Sequence, residues 1–253
     1  MLTFIYDGTF EGLLTCIFEG YNHRRFPDDI LSKWKQPRDL FAETVDVAAD
    51  SVKARRVWKG IQQKLTAKNK QLIYYAFLSE TNSIEIKIMR FVMRLFDENK
   101  LIETDFGDID VLEIVQNARK VKKEAMRVMQ FVRFQQTKEG MYFCGIEPMF
   151  DVLPLVLGHF RNRFADQKWL LYDLKRNYGA YYDKKTVEEV ELTSSEINWQ
   201  TGQISANVLS ERDAFYQTLW KSFFEHINIE ERKNLRLQRQ HMPRRFWKYL
   251  TEK

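Results

Sequence analysis

The sequence predicts an α+β fold in which helices come first, a sheet follows, and helices return at the end. Apolar residues recur at helical spacing up to about residue 128. From residue 130 the pattern changes to alternation of apolar and polar residues, which is typical of half-buried strands. Helical spacing returns at 207–227. Because the strands are segregated from the early helices along the chain, we expect α+β architecture.

The first part of the chain predicts one short strand and several helices. The strand is expected at 2–7, and Thr9 can cap a helix that carries an apolar stripe from Phe10 to Tyr21. A connector that contains Pro27 and Pro37 is expected at 26–41. Further helices are predicted near 50–65, 67–79, 82–97 and 108–128.

The central part predicts an antiparallel sheet of about four to six strands with an inserted helix. Segments 130–136 and 141–146 would form a hairpin whose turn ends at Gly140. Segments 168–174 and 179–183 would form a second pair, and 186–192 another strand. The helix between the pairs is expected to open at Glu147, with a break or kink at Pro154. The strand at 2–7 could join this sheet.

The last part predicts a helix at 207–227 with Phe215, Leu219, Phe223 and Ile227 on one side, then a basic helical end at 229–253. We expect a mainly helical region at 1–83 and an α+β domain at 84–253, either as two domains or as one compact unit.

The composition favours a folded cytoplasmic protein. Of 253 residues, 44% are hydrophobic, which suffices for a core, and two cysteines cannot make a disulfide framework. Cys16 and Cys144 fall on apolar positions and are interpreted as core thiols. No apolar run approaches the roughly 18 residues of a membrane span, and the N-terminus has no signal-peptide pattern.

Strong catalytic signatures are missing from the sequence. It contains no Gly-rich phosphate loop, no His-Glu-x-x-His and no Gly-x-Ser-x-Gly. Two distant cysteines and four histidines give no metal-ligand spacing, so we predict neither a metal nor a cofactor. Whether the protein is an enzyme is left open by the sequence.

A polar and aromatic cluster at 159–183 is the first candidate site. One hypothesis assigns acid–base chemistry to His159, Asp166 and Asp173, and phosphate contacts to Arg161, Arg163 and Arg176. Trp169 would then stack on a base. The alternative is structural: Arg163 pairs with an Asp, His159 caps a carbonyl, and the aromatic residues belong to the core.

Two further segments carry cations that suit nucleic acid. Arg133 and Gln135 share one face of the predicted strand at 130–136, where the arginine would meet either a ligand or an ion-pair partner. Residues 232–251 hold seven Lys and Arg residues and no acidic residue. There, Arg239, Arg244, Arg245 and Trp247 mix charge with aromatic surface. The alternative is that this segment is a solvated helix docked by its apolar residues. Two weaker basic runs, at 53–60 and 118–127, are interpreted as ordinary solvated helix faces.

Long motifs resemble a bacterial family known as "probable DNA metabolism protein". They are "YDGTFEGLLTCIFEGY", "QFVRFQQTKEGMYFCGIEP", "VLPLVLGHFRNRFADQKWLLYD" and "MPRRFWKYLTE". The resemblance covers nearly the whole chain, more loosely over 27–110, and implies a domain of unknown function over the C-terminal two-thirds. It also implies a role in DNA metabolism beside a putative radical-SAM protein encoded nearby, which would hold the iron–sulfur cluster. In some proteins that this resemblance brings in, the related domain looks fused to a uracil-DNA glycosylase-like domain.

Three functional hypotheses follow from the residues and the resemblance. The leading one is a DNA-binding or accessory protein in DNA repair, which acts on single-stranded or damaged DNA with a radical-SAM partner. The second is a nucleic-acid-acting enzyme, a glycosylase or hydrolase, that uses His159, Asp166 and Asp173. The third is a protein–protein scaffold for the partner enzyme.

Overall fold

The computed structural model describes residues 1–35, 42–98, 101–192, 197–198, 203–204, 209–227 and 235–250. These residues group into two compact units, Met1–Lys122 and Lys123–Lys253. Both units combine helices with a sheet, and helices stand in both the N-terminal and C-terminal parts, so the α+β class is confirmed. The expected division after residue 83 stays a prediction.

Unit 1 places a small sheet beside four complete helices and the start of a fifth. Its strands are β1 (Leu2–Tyr6), β2 (Asp29–Ser32) and β3 (Glu43–Asp46). Its helices are α1 (Phe10–Asn22), α2 (Ser51–Lys64), α3 (Leu72–Phe77), α4 (Ile84–Asp97), a 3₁₀-helix at Ile102–Thr104, and the first part of α5 (Ile109–Phe131).

The sheet of unit 1 is parallel and ordered β2-β1-β3. Strand β1 hydrogen-bonds on both of its edges, so it cannot join a second sheet, and the prediction that it could was wrong. The predicted connector at 26–41 also contains β2, whose four residues are all buried. Two prolines nearby concealed this strand because they read as loop residues.

Helix α1 begins where the sequence predicts. Thr9 caps it, since its Oγ1 accepts a hydrogen bond from the Gly12 amide at 2.9 Å. Asp7 accepts from both the amide and the hydroxyl of Thr9 and so fixes the turn that precedes the helix. Glycine at position 12 leaves room for this arrangement, because a Cβ atom there would lie 2.2 Å from the Asp7 carboxylate and would displace it.

One arginine links three acidic residues near the start of α5. The Arg94 guanidinium lies 2.8 Å from Glu98, 2.8 Å from Asp105 and 2.5 Å from Asp108. Asp108 also caps α5, because it accepts from the amides of Asp110 and Val111. Arg94 therefore ties the end of α4 to the turn that opens α5.

Unit 2 is built on a five-stranded sheet with a helix inserted between two of its strands. Its elements after α5 are β4 (Gln135–Gln136), β5 (Tyr142–Ile146), α6 (Leu153–Arg163), β6 (Trp169–Asp173), β7 (Tyr178–Tyr182), β8 (Val187–Val190), β9 (Ile197–Asn198), β10 (Gln203–Ile204), α7 (Glu211–Ile227), α8 (Leu235–His241) and a 3₁₀-helix at Arg244–Tyr249.

The strand order β4-β5-β6-β7-β8 confirms a central sheet of the predicted size. Its antiparallel character is only partly as predicted, because β5 and β6 run parallel. Helix α6 carries the chain from the end of β5 back to the start of β6, and such a crossover makes two strands parallel. The other neighbouring pairs are antiparallel.

Two local predictions for unit 2 were wrong. Helix α5 continues to Phe131, so the strand expected at 130–136 is reduced to Gln135–Gln136. Helix α6 begins at Leu153 rather than at Glu147, which puts Pro154 in the first turn. Proline is accommodated there because amides of the first turn have no intrahelical acceptor, and no break occurs.

A helix within the predicted range 207–227 is confirmed as α7, and the two described residues of its predicted apolar face are largely exposed. Phe215 is 61% exposed and Leu219 is 48% exposed. The side chains of Phe223 and Ile227 lie outside the described residues. Among the described helices, none has both the length and the apolar composition needed to cross a bilayer.

We expect Arg94→Ala to lower the free energy of unfolding at pH 7 by about 1–2 kcal/mol, since each of three partly exposed ion pairs contributes up to ~1 kcal/mol. Burial would raise the pKa of Asp108, yet the backbone amides of Val111 and Asp110 and the Arg94 guanidinium hold it below its usual value. This stabilisation is present above the unfolded pKa and is lost as pH falls through the folded one.

Urea unfolding of both proteins at pH 7 and at pH 2.5–3 checks this prediction. The difference between wild type and Arg94→Ala should shrink at the acidic pH. A difference of equal size at both pH values would contradict an electrostatic role for Arg94.

Candidate nucleic-acid interface

Asp173 and Arg176 form a buried pair at the carboxyl ends of the parallel strands β5 and β6. Asp173 has no exposed surface, and its Oδ2 lies 2.8 Å from a guanidinium nitrogen of Arg176. Its Oδ1 accepts from the amides of Lys175 and Arg176 at 2.9 and 3.1 Å. Arg176 donates further to the carbonyls of Pro148 and Met149. Its donors are thus directed to the protein, and it holds the turn after β6 against the loop after β5.

Burial raises the pKa of the Asp173 carboxyl, and the opposing effect of the Arg176 guanidinium and the two amides does not fully offset it. The carboxyl has no direct path to solvent in this arrangement. A group that exchanges protons with a substrate must reach that substrate, so the surroundings of Asp173 are those of a structural residue.

Other polar side chains meet beside this pair. The Tyr178 hydroxyl donates to Asp151 at 2.5 Å, and burial, followed by the Asp151 charge, raises its pKa. Burial also raises the pKa of Tyr249, and the charge of Glu147 adds to the effect. Both phenols are therefore neutral donors at pH 7. The segments "CGIEP", "LLYD" and "RFWKYL" each contribute a residue to this group of neighbouring polar side chains, namely Glu147, Asp173 and Tyr249.

The three residues proposed for acid–base chemistry do not share a position. Asp173 ends β6, whereas Asp166 precedes its first residue, and the five residues of the strand span roughly 13 Å. Helix α6 carries the chain from the end of β5 back to the start of β6, and His159 lies in the second half of this helix. His159 and Asp166 are exposed, and no single reacting atom could contact all three.

Arg161 and Arg163 project from the last turn of α6 into solvent. Neither has an ion-pair partner among the described residues, so the expected pairing of Arg163 with an Asp is not observed. Arg163 lies over the ring of Phe164, 5.8 Å from its centroid. His159 contacts the ring of Phe160. Cations at a helix C-terminus are favoured by the helix dipole, yet their charge stays available to a ligand.

Arg133 has a local structural role, which was not predicted because the residue was assigned to a strand. It follows the end of α5 and donates to the carbonyls of Gln130 and Val132, both at 3.1 Å. It therefore satisfies carbonyls that the end of a helix leaves free. Gln135 lies in β4, opposite Phe143 of β5.

Trp169 belongs to the core. It is 1% exposed and packs among the rings of Phe134, Phe160 and Tyr182. No ring face of Trp169 is available to a nucleic-acid base.

The described cations of the basic C-terminal segment divide into exposed ones and one, Arg245, that is partly buried against a carboxylate. Arg239 on α8 and Arg244 at the start of the 3₁₀-helix are exposed, and neither forms an ion pair within the described part of the chain. The Arg244 guanidinium lies 5.9 Å from the ring centroid of Trp247. The Trp247 indole donates to the Met242 carbonyl at 3.0 Å, which fixes the ring beside Arg244.

Arg245 turns inward to the carboxylate of Glu124 on α5. The Glu124 side chain is 2% exposed and also accepts from the Met149 amide at 3.1 Å. Next to Arg245, Phe246 is buried and contacts the ring of Phe131. Arg244 and Arg245 are neighbours in sequence, but only Arg244 faces a possible ligand.

Glu124 and Asp151 were not singled out from the sequence. Glu124 lies within a basic run, but it shares a helix face with Val121, Ala125 and Val128, which are buried. An acidic residue on an apolar face signals a buried ion pair, and this signal could have identified it. Asp151 carried no comparable signal, because its tyrosine partner is 27 residues away.

Both cysteines are buried, and burial raises the pKa of each thiol to about 12. They are therefore protonated at pH 7 and unreactive, as core thiols should be. Within the residues that the structure describes, no group of three His, Cys, Asp or Glu side chains could hold a metal ion.

We expect Arg245→Met to lower the free energy of unfolding by about 2–3 kcal/mol, near the lower limit for removing one partner of a buried ion pair, because Arg245 is partly exposed. Arg244→Met is the matched control and should change stability by less than about 0.5 kcal/mol. Urea unfolding of the three proteins measures both effects. Equal losses in the two variants would contradict the division between the exposed Arg244 and the carboxylate-paired Arg245.

Comparison with known proteins identifies one family. Residues 82–252, which are more than half of the chain, match a family described as a domain of unknown function, DUF4130. No curated protein and no solved structure matches the chain. The matched range contains all of the candidate residues above, and the chain therefore belongs to the DUF4130 family.

Proposed function

We propose that the protein binds DNA through exposed arginines of unit 2 and serves as an accessory protein in DNA repair or metabolism beside a radical-SAM enzyme. Arg161, Arg163 and Arg244 would contact phosphates, with Arg239 adding charge nearby in the sequence. Single-stranded or damaged DNA is the expected form, because Trp247 offers an aromatic surface next to Arg244.

The observation that supports this proposal is the separation of unit 2 arginines into two groups. Arg133, Arg176 and Arg245 are directed to carbonyls or carboxylates of the protein itself. Arg161, Arg163, Arg239 and Arg244 are exposed, and the described residues provide no carboxylate for them. Phosphate binding requires cations of the second kind, since a cation that neutralises a phosphate releases the counterions condensed on the DNA.

The resemblance of the motifs to the "probable DNA metabolism protein" family supplies the biological setting. Its motif "VLPLVLGHFRNRFADQKWLLYD" contains Arg161 and Arg163, and "MPRRFWKYLTE" contains Arg244 and Trp247. That resemblance also motivates the radical-SAM partner, which would provide the redox chemistry that two buried cysteines cannot.

We expect labelled single-stranded DNA to bind with an affinity that falls steeply as salt increases. Replacing Arg161 and Arg163 by Ala, and separately Arg244 by Ala, should weaken binding. Each lost phosphate contact should reduce the slope of log K against log salt by about 0.7 for single strands. Fluorescence anisotropy at several salt concentrations, with single- and double-stranded DNA, measures these slopes.

Lys138→Ala is the matched control, because it removes one positive charge from an exposed turn of unit 2. It should leave the slope unchanged. If wild type shows no salt-dependent affinity, or if Lys138→Ala weakens binding as much as Arg244→Ala does, the proposal is wrong.

The exposed face of α7 favours a second candidate function, docking of the protein partner. Four large side chains share this face, and each is more than two-fifths exposed: Phe215, Tyr216, Leu219 and Trp220. Contiguous exposed apolar surface marks interaction sites in soluble proteins, and Tyr and Trp are frequent anchors of such interfaces. We propose that the radical-SAM enzyme covers this face.

We expect Phe215→Ser combined with Leu219→Ser to abolish co-elution with the radical-SAM protein in size-exclusion chromatography. Because apolar contacts carry the interface, wild-type co-elution should persist in 0.5 M salt. Met126→Ser is the control, since Met126 is an equally exposed apolar residue on α5. Loss of binding in both variants, or a self-association that only the α7 variant disrupts, would contradict this assignment.

A further inference from the structure

The outer face of α2 in unit 1 carries a row of cations. The helical repeat of 3.6 residues places three of them within an arc of roughly 100°. All three are exposed, and we call them the α2 basic face: Arg55, Arg56 and Lys59. The opposite side of the helix is buried in the core and consists of Ala54, Val57 and Ile61. The cations therefore stand on a helix that the core of unit 1 holds in place.

The chain around the α2 basic face contains no compensating acid. Residues 51–79 hold seven Lys and Arg residues and no Asp or Glu. Of these seven, Lys53 lies 2.7 Å from Glu19, and Lys64 donates to a backbone carbonyl of α4 at 2.9 Å. Lys68 and Lys70, in the turn that follows α2, are exposed. Charge of one sign thus extends from the helix into the next turn.

The α2 basic face differs from the cations of α4, the other long helix that lies wholly within unit 1. All three cations of α4 are paired with carboxylates: Lys87, Arg90 and Arg94. For the α2 basic face the described residues provide no ion-pair partner. Glu11 borders the same shallow groove as Arg55, but no ion pair joins the two side chains. The charge of this face is therefore available to a partner.

This arrangement is unfavourable for the helix by itself. Like charges three or four residues apart on a helix repel each other, as Arg55 and Lys59 do and as Arg56 and Lys59 do. An anionic partner that covers the face would remove this repulsion. The partner has to present several negative charges in a row, because Arg55 and Lys59 are separated by about 6 Å along the helix axis.

The surroundings of the α2 basic face favour a phosphate backbone whose bases are already paired. Trp58, the aromatic residue of α2, packs edge-on against Phe10 with their ring centroids 5.2 Å apart. The ring of Phe18 lies under the Arg56 guanidinium, 5.8 Å away. Unpaired bases stack on accessible aromatic faces, and these rings are engaged with the protein. A duplex needs no such face, since its bases stack on each other.

A membrane surface fits the α2 basic face less well. A helix that lies on a membrane inserts its apolar side among the lipids while its cations face the headgroups. The apolar side of α2 is packed in the core of unit 1. It is therefore not available to lipid.

We propose that the α2 basic face binds the phosphate backbone of a nucleic-acid duplex and does not read its bases. Duplex DNA and duplex RNA share this chemistry. The inference goes beyond the proposed function, which concerns the arginines of unit 2 and single-stranded DNA.

The test uses the full chain with Arg161→Ala, Arg163→Ala and Arg244→Ala, so that these arginines of unit 2 do not contribute. Fluorescence anisotropy at several salt concentrations measures binding of labelled DNA duplexes of two unrelated sequences, an RNA duplex and a matching single strand, all of equal length. Polyglutamate and vesicles that contain phosphatidylserine are the other polyanionic probes. We expect both DNA duplexes to bind equally and more tightly than the single strand.

Substitutions in α2 identify the surface. In this chain, Lys59→Gln should lower the slope of log K against log salt for a DNA duplex by about 0.9, the value for one phosphate contact, and Arg55→Gln with Arg56→Gln by about twice as much. Arg55→Lys with Arg56→Lys should preserve the slope, because a lysine meets phosphate as a point charge. The melting temperature of the double Gln variant should equal or exceed that of its parent, since repulsion is relieved.

Lys33→Gln is the matched control, because it removes an exposed lysine of unit 1 that follows β2. It should leave the slope unchanged. Duplex binding that depends on Lys59 but not on Lys33 supports the proposal, and the tighter of the DNA and RNA duplexes identifies the source of the backbone.

Four results would overturn the proposal. They are the absence of duplex binding, equal effects of Lys33→Gln and Lys59→Gln, a lowered melting temperature of the double Gln variant, and binding of the single strand, polyglutamate or the vesicles that is as tight as that of the duplex.

Discussion

The buried carboxylate of Glu124 is the constraint around which much of unit 2 is arranged. A carboxylate with almost no exposed surface must be compensated, and Glu124 is compensated by Arg245 of the C-terminal 3₁₀-helix, by the Met149 amide after β5 and, at 3.9 Å, by Arg127 of α5. These contacts join three segments that lie far apart in the sequence. Next to Arg245, Phe246 packs against Phe131, whereas Arg244 is exposed. The ion pair of Arg245 with Glu124 and the burial of Phe246 together hold the basic segment in this orientation.

The same constraint explains why a count of positive charges describes this protein poorly. Arg176 and Arg245 contribute charge to the total, but each is neutralised by a buried carboxylate that the fold needs. Arg161, Arg163 and Arg244 contribute the same charge and remain available. A polyanion is attracted by the second group of arginines. The functional hypothesis therefore depends on the position of each arginine rather than on the excess of basic residues.

The helical part of the fold was predictable because helical periodicity is long and redundant. The helices at 10–22, 51–64 and 84–97 follow stripes of apolar residues, and Thr9 capped its helix as expected. The parallel pairing of β5 and β6 was not predictable, since strand direction depends on the long-range path of the chain. The site was predicted in composition but not in arrangement. Asp173 and Trp169 are chemically suitable residues, and only burial shows that they belong to the core.

Strand β8 ends the five-stranded sheet and carries Glu188 and Glu189, both exposed. The outer edge of a terminal strand is a template on which a second copy of the chain could add its own strand. If two β8 strands approached each other, four carboxylates would be brought together, and like charges on neighbouring strands repel. The sequence of β8 therefore opposes edge-to-edge aggregation, in which a second copy would extend the sheet beyond five strands at this edge.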